Sequence, residues 1–186
     1  MLTFRPALLR HALLVSAAAM SAPLLATPGP STVRDVDVAG TTPALSRFDT
    51  RLLGDINRAR ASRGIRRLAL VAGTTDVAHH WSCHMAKYGV LEHDPYLRWA
   101  LETHGSPDWT TYGENVGRQP TDYGADHLFH RYMSDPSHRA NILDKSYRYV
   151  GIWSKRRSGA RWNTTDFVGA PIDSYHFSYG DTRVAC

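Results

Sequence analysis

Cysteine is scarce: 186 residues hold two, Cys83 and Cys186. This excludes a disulfide-dense mini-scaffold and a four-cysteine zinc site. In an oxidising compartment the default is a Cys83–Cys186 bond, and the alternative is two free thiols. Such a bond would close a loop of about a hundred residues and contribute ~3–5 kcal/mol if unstrained. Long apolar runs are also lacking. The stretch from Ala12 to Leu25 is broken by Ser16, Ser21 and Pro23 and falls short of the roughly twenty residues a spanning helix needs. Preceded by Arg5 and Arg10 and followed by small residues around Ala26, it reads as a signal peptide, with a retained anchor as the alternative. Because no second run of spanning length occurs, the mature chain is expected to be secreted and extracellular, without an integral membrane segment. Charge of one sign is lacking too. Cleavage of the signal peptide would remove two of 22 basic side chains and leave 20 against 17 acidic ones, an excess too small to imply nucleic acid. No glycine-rich phosphate loop occurs, so no nucleotide is implied.

What remains divides into three parts: a signal peptide at 1–26, a flexible leader at 27–45 and one domain at 46–186 that includes a C-terminal tail. The leader is rich in Pro, Gly, Ser and Thr from Thr27 to Pro43 and shows no apolar period. Order begins at Ser46, which with Asp49 makes a variant capping box. Phe48, Leu52, Leu53, Ile56 and Ala59 then recur at helical spacing, and Arg60 and Arg63 stand before Gly64. A second helix is expected from Thr75 to Tyr88, with Val77, Trp81, Met85 and Tyr88 on one stripe and Gly89 as its stop. A short helical segment from Tyr96 to Thr103 leads into a loop that ends at Glu114 and Asn115. The third helix starts near Thr121 and stops before Pro136, and a turn of helix follows from Pro136 to Leu143. Tyr147 to Trp153 and Arg161 to Val168 are β-branched or aromatic around Arg157, Ser158 and Gly159, the pattern of an antiparallel hairpin. Helices first and a hairpin afterwards give an α+β layered domain.

Three residues carry candidate chemistry: His93 in a turn, Glu114 in a loop and His138 inside a short helix. Two imidazoles and a carboxylate suit a divalent cation such as zinc with a position left open for water. They equally suit general acid–base chemistry. His80 and His84 stand at i and i+4, but Trp81 occupies the place of the zinc-protease glutamate, so a solvated or half-buried pair is expected. Ser137 adjoins His138, yet neighbours on a helix diverge by about a hundred degrees, which makes it a poor nucleophile candidate.

Several stretches together resemble the successive motifs of bacterial CAP domains, the superfamily of cysteine-rich secretory proteins, antigen five and pathogenesis-related proteins. They are Asn57 with Arg60 and Gly64; His93; Gly113 through Val116; Asp135 through Leu143 (DPSHRANIL); Val150 with Gly151; and Thr164 through Gly169 (TTDFVG). The resemblance implies a three-layer α-β-α sandwich with a small antiparallel sheet and flanking helices. It also implies a cleft where two histidines and two acidic residues face one another. His93, Glu114 and His138 match three of those positions. Tyr132 stands where relatives carry a tryptophan, which puts Asp135 at the fourth, although Asp135 also reads as the N-cap of the helix opened by Pro136. Asn115 and Arg139 are expected to support loops around the cleft. The sequence departs from the family pattern at Thr165, where a glutamine is common, and after Ala170, where the tail has no counterpart.

The resemblance implies a secreted, non-enzymatic module that binds a lipid or sterol-like small molecule or a protein partner. In that reading the cleft holds a divalent cation, zinc first, or simply fixes loop geometry. The alternative is a metal-assisted, peptidase-like hydrolase in which the cation on His93 and His138 activates water and Glu114 serves as base or orienting carboxylate.

Overall fold

A computed structural model describes residues 44–105 and 108–170, all within one compact unit. The expected signal peptide, most of the expected leader, Cys186 and the tail beyond Ala170 lie outside the described residues. Helix α1, Arg47–Ala61, starts on Ser46, whose hydroxyl accepts from Asp49 N and donates to Asp49 Oδ2, so the capping pair forms. Arg60 lies in its last turn, as read from the sequence, and is fully buried.

The short strand β1, Ala69–Leu70, precedes α2, Ala72–Tyr88, which begins three residues before the expected start and stops at Gly89 with φ 71°. That left-handed position is why glycine ends the helix. Val77, Trp81 and Met85 are buried as their spacing implies, but Tyr88 is exposed. α3, Leu97–Ala100, and a π-helical turn, Leu101–Gly105, replace the single segment expected there.

The stretch read as a loop up to Glu114 and Asn115 is a strand, β2, Thr111–Pro120. Gly113, Glu114, Asn115 and Gly117 give it neither alternation nor β-branching, so only its ladder with the last strand holds it extended. α4, Ala125–Ser134, starts later than expected, with Gly124 as its N-cap, and α5 spans Pro136–Leu143 as read from the sequence. The hairpin is β3, Tyr149–Arg157, and β4, Ala160–Gly169. Ser158 and Gly159 both take positive φ between them, the geometry of the tight turn that matches strand twist.

The sheet order is β1-β3-β4-β2, with β1 parallel to β3 and the other pairs antiparallel. The sheet is therefore mixed rather than purely antiparallel. Alternation divides its two faces. On one face Val150, Ile152 and Phe167 pack against Leu52, Ile56, Leu128, Tyr132 and Ile142 from α1, α4 and α5. On the other, Val116, Trp162 and Val168 pack against Val77, Trp81, Met85, Leu97 and Leu101 from α2 and the segment after it. Helices cover both faces, giving the α-β-α sandwich.

Candidate functional site

After Gly89 the chain turns back toward β2. Trp81 Nε1 donates to Glu92 O at 2.8 Å, which pins the segment that carries His93 and Asp94. Glu114 stands on β2 with only 3 % of its side chain exposed. Its Oε1 accepts from Asp94 N at 3.0 Å and lies 2.6 Å from His93 Nδ1. A carboxylate only accepts, so the shared proton belongs to His93 Nδ1, and Nε2 is left as the ring's free acceptor. The bond to Glu114 raises the His93 titration above the ordinary imidazole range. Burial pushes the Glu114 carboxyl up, while His93 and the Asp94 amide pull it back.

His138 arrives from the other side, on the first turn of α5. Asp135 is that helix's N-cap: Oδ1 accepts from Ser137 N at 2.9 Å, Ser137 Oγ at 2.6 Å and His138 N at 3.0 Å. These bonds, Ser137's first, hold its carboxyl down to about 2. The same oxygen lies 3.5 Å from His138 Nδ1, so the capping residue also borders the histidine. Burial lowers the His138 titration, and His93 adds to that effect. The two imidazoles face each other with centroids 6.4 Å apart, and the edge of Tyr132 meets His138 at 5.0 Å.

Polar bonds fix α5 to β2. Asn115 Nδ2 donates to His138 O at 3.0 Å, and Asn141 Nδ2 donates both to Asn115 Oδ1 at 2.9 Å and to Glu114 O at 3.0 Å. Arg139 Nη1 donates to Met133 O, tying the end of α4 to α5. His93, Glu114 and His138, separate in sequence, are thus brought together, with Asp135, Asn115 and Arg139 around them. The His84 ring stacks on Trp81 at 4.4 Å, and His80 and His84 both lie near enough to act on the Asp94 carboxyl. Ser137 gives its hydroxyl to Asp135 rather than to an imidazole.

The donors fit a cation only in part. An imidazole whose Nδ1–H is held by a carboxylate is the usual outer partner of a metal-binding histidine, and His93 has that arrangement. Two imidazoles sharing a tetrahedral zinc at about 2.0–2.1 Å, however, bring their centroids to roughly 5 Å, closer than the 6.4 Å between these rings. Glu114 Oε1 is already engaged by His93 and Asp94. Among the described residues no group of three His, Cys, Asp or Glu side chains is placed to hold a metal. A cation shared tetrahedrally by His93 and His138 would need the two rings to stand closer than they do here.

Sequence reasoning gave no site role to Asp166, Tyr132 or Asn163. Asp166 is fully buried on β4 in register with Glu114. An acid flanked by Thr165 and Phe167 in a strand was the available signal. Tyr132 Oη donates to Asn163 Oδ1 at 2.9 Å beneath the site. The chain from Asn163 continues through Ser154 to Asp49.

No curated protein matches the sequence significantly. Solved structures of similar fold include an extracellular protein containing an SCP domain from Bacillus anthracis, 21% identical with TM-score 0.58, covering 66% of this chain and 40% of that one. A cysteine-rich secretory protein from Staphylococcus aureus is 20% identical with TM-score 0.54, covering 64% and 38%. Venom allergen-like protein 4 from Schistosoma mansoni is 11% identical with TM-score 0.54, covering 73% and 97%. The chain thus spans well under half the length of the two bacterial proteins. Among the described residues no helix is long and apolar enough to cross a membrane. The profile of the family described as CAP, the cysteine-rich secretory protein family, matches residues 53–167, more than half of the chain. The chain belongs to the CAP family.

Proposed function

We propose that this chain is a secreted binding module whose site, beside His93 and Glu114, takes an apolar small molecule of the lipid or sterol class. The observation that supports this reading is a set of exposed aromatic side chains on the segments that flank Asp94 and Glu114 in the chain. Tyr96 and Trp99 are largely exposed on and beside α3, and Tyr112, two residues from Glu114 on the same face of β2, is partly exposed. Trp109 stacks edge-on against Tyr112 at 4.8 Å, with Arg98 over its ring at 5.6 Å. Rigid aromatic area next to a few fixed polar groups is the usual make-up of a small-molecule site. The test is saturable uptake of fluorescent sterol and fatty-acid probes by the purified protein. Trp99→Ala and Tyr112→Ala should each weaken uptake about tenfold or more; saturable uptake unchanged in both variants, or none by the native protein, rejects the reading.

Within this proposal His93 and His138 are the pair that would hold a divalent cation, zinc first, with Glu114 orienting His93. Metal analysis of protein purified without chelator, compared with His93→Ala, tests this. The hydrolase alternative is favoured by one observation, the 2.6 Å carboxylate–imidazole contact that leaves His93 Nε2 free to act as a base. It requires ester or peptide cleavage that disappears in His93→Ala. Secretion and the Cys83–Cys186 bond belong to the same proposal.

A further inference from the structure

Cations gather at the turn end of the β3–β4 hairpin. Arg156 on β3 stands opposite Arg161 on β4, and Lys155 stands opposite Trp162, which on its other side faces Arg118 on β2. Arg157 lies beside the turn. Arg156 and Arg161 leave the face covered by α1 and α4, with Cβ atoms about 5 Å apart. Arg118 and Lys155 leave the opposite face on either side of Trp162, whose ring lies 4.9 Å from the Arg118 guanidinium. This end is roughly 13 Å along β2 from Glu114 at the rise of a strand. α1 and α4 both start here: the Arg161 guanidinium lies over Phe48 at 3.8 Å, and Gln119, paired with Arg161, donates to Tyr123 O and Gly124 O at the N-cap of α4.

Like charges directly opposite one another destabilise a sheet, and Arg156 acts against Arg161 here. Among the described residues none of Arg118, Lys155, Arg156, Arg157 and Arg161 has an ion-pair partner. Arg161 Nε is buried without a hydrogen-bond partner among them. The acid that acts on Arg161 is Asp49, and its two oxygens are taken up by Ser154 Oγ at 2.6 Å and Ser46 Oγ at 2.7 Å. Asp122 before α4 and Asp126 in its first turn form no ion pair with the five. An ordinary solvated surface intersperses the two signs. Here cation opposes cation and donors are left over, an arrangement that an anion completes.

Four of the five are arginines, whose planar fork holds a carboxylate or a phosphate by two parallel bonds. A carboxylate offers one two-oxygen edge, which a single guanidinium fills. A phosphate has oxygens facing several ways and can sit between two guanidinium groups such as Arg156 and Arg161. Cations on both faces of the hairpin end suit a chain that passes round it better than a flat membrane, and Ser158 and Gly159 at the tip have no apolar side chain to insert. We propose that this end of the sheet binds a linear polymer of phosphate groups, held by Arg118, Lys155, Arg156, Arg157 and Arg161. The surface is independent of what the site beside His93 and Glu114 takes.

The probe is inorganic polyphosphate with a fluorescent end label, titrated with the purified chain and read by anisotropy at two salt concentrations. Saturable binding that weakens steeply with salt is expected. Arg118→Gln/Arg156→Gln/Arg157→Gln, at three exposed positions, should weaken it about tenfold or more and flatten the salt dependence. Arg63→Gln/Arg66→Gln/Arg67→Gln removes the same charge from exposed positions after α1 and should change affinity by less than about twofold. The first variant should melt no lower than the native chain, because a cross-strand repulsion is gone. Polyglutamate and vesicles of anionic phospholipid serve as rival partners and should bind more weakly than polyphosphate. The proposal is overturned by no saturable binding, by equal losses in the two variants, or by a rival that binds as well as polyphosphate. A clear fall in melting temperature of the first variant also overturns it, since these side chains would then serve the hairpin. Sterol and fatty-acid uptake should be the same in that variant as in the native protein, so failure of uptake rejects the lipid reading and leaves this surface standing.

Discussion

Arg60 is a long cationic side chain with no exposed surface. Its guanidinium spreads over four backbone carbonyls, donating to Arg66 O, Ile142 O, Asp144 O and Tyr147 O at 2.8–3.0 Å. It thereby gathers the end of α1, the loop after it and the connection from α5 to β3. An ammonium has three donors on one atom and cannot reproduce that fork. Arg60→Ala should therefore cost about 3–5 kcal/mol, because buried carbonyls lose their donor, and Arg60→Lys should recover only part; urea unfolding reads both. A second expectation at this scale concerns pH. His93 titrates above the ordinary value, so its contribution to stability is complete below about 6.5 and is lost as pH rises through its elevated folded value. His138 is shifted the other way: it contributes nothing adverse above about 6.5, and stability falls as pH drops from there toward its depressed value. Histidine NMR should find His93 titrating above His138, and Glu114→Gln should bring the two midpoints together by lowering that of His93. Equal midpoints in the native protein would contradict the assigned contacts.

Among the elements, those with a local signal were legible in the sequence. α1 was visible through its cap and apolar spacing, α5 through Asp135 and Pro136, and the hairpin through two β-branched runs around Ser158 and Gly159. β1 and β2 were not visible. β1 is two residues long and exists only through its pairing with Tyr149 and Val150. β2 carries Gly113, Glu114, Asn115 and Gly117, whose identities answer to neighbours far along the chain. A Cβ on Gly113 would meet Tyr147 Oη and Asn141 Oδ1, and one on Gly117 would meet Tyr132 Oη. The site shared this fate: His93, Glu114 and His138 could be picked out as motif residues, whereas Asp166 and Asn141 gain meaning only from strand register and from α5 lying against β2. Glycine also marks where elements approach most closely. Gly151 on β3 lies against the first turn of α2, and an added Cβ would run into the Thr74 backbone, which cannot swing aside. Gly151→Ala should lower stability by about 1–3 kcal/mol or more. Gly54, within α1 and facing only the flexible end of Arg58, should gain about 0.5–1 kcal/mol as alanine. Thermal unfolding of the two variants would separate close approach from helix propensity, and a neutral Gly151→Ala would mean that α2 rides higher on the sheet than described.

For the molecule as a whole, the open matter is how α2 is tied to the rest of the chain. α2 forms one layer of the sandwich and meets the sheet through apolar side chains and through Ser82, whose hydroxyl reaches Trp153 O and Thr164 Oγ1. Cys83 is buried on the same helix, and its expected partner Cys186 lies outside the described residues. A bond between them would restrain a loop of about a hundred residues in the unfolded chain and stabilise the folded one by ~3–5 kcal/mol. It would act on the layer that covers Glu114 and Asp166, so its loss should be felt at the site as well as in overall stability. Protein prepared under oxidising conditions should show no titratable thiol after denaturation and two after reduction. Reductant should lower the melting temperature of the native chain by several degrees, in line with the loss of a few kcal/mol in a domain of this size, and leave Cys83→Ala/Cys186→Ala unaffected. Two thiols in the unreduced protein, or a double variant as stable as the oxidised native chain, would show that the apolar packing of α2 holds the layer without a covalent tie.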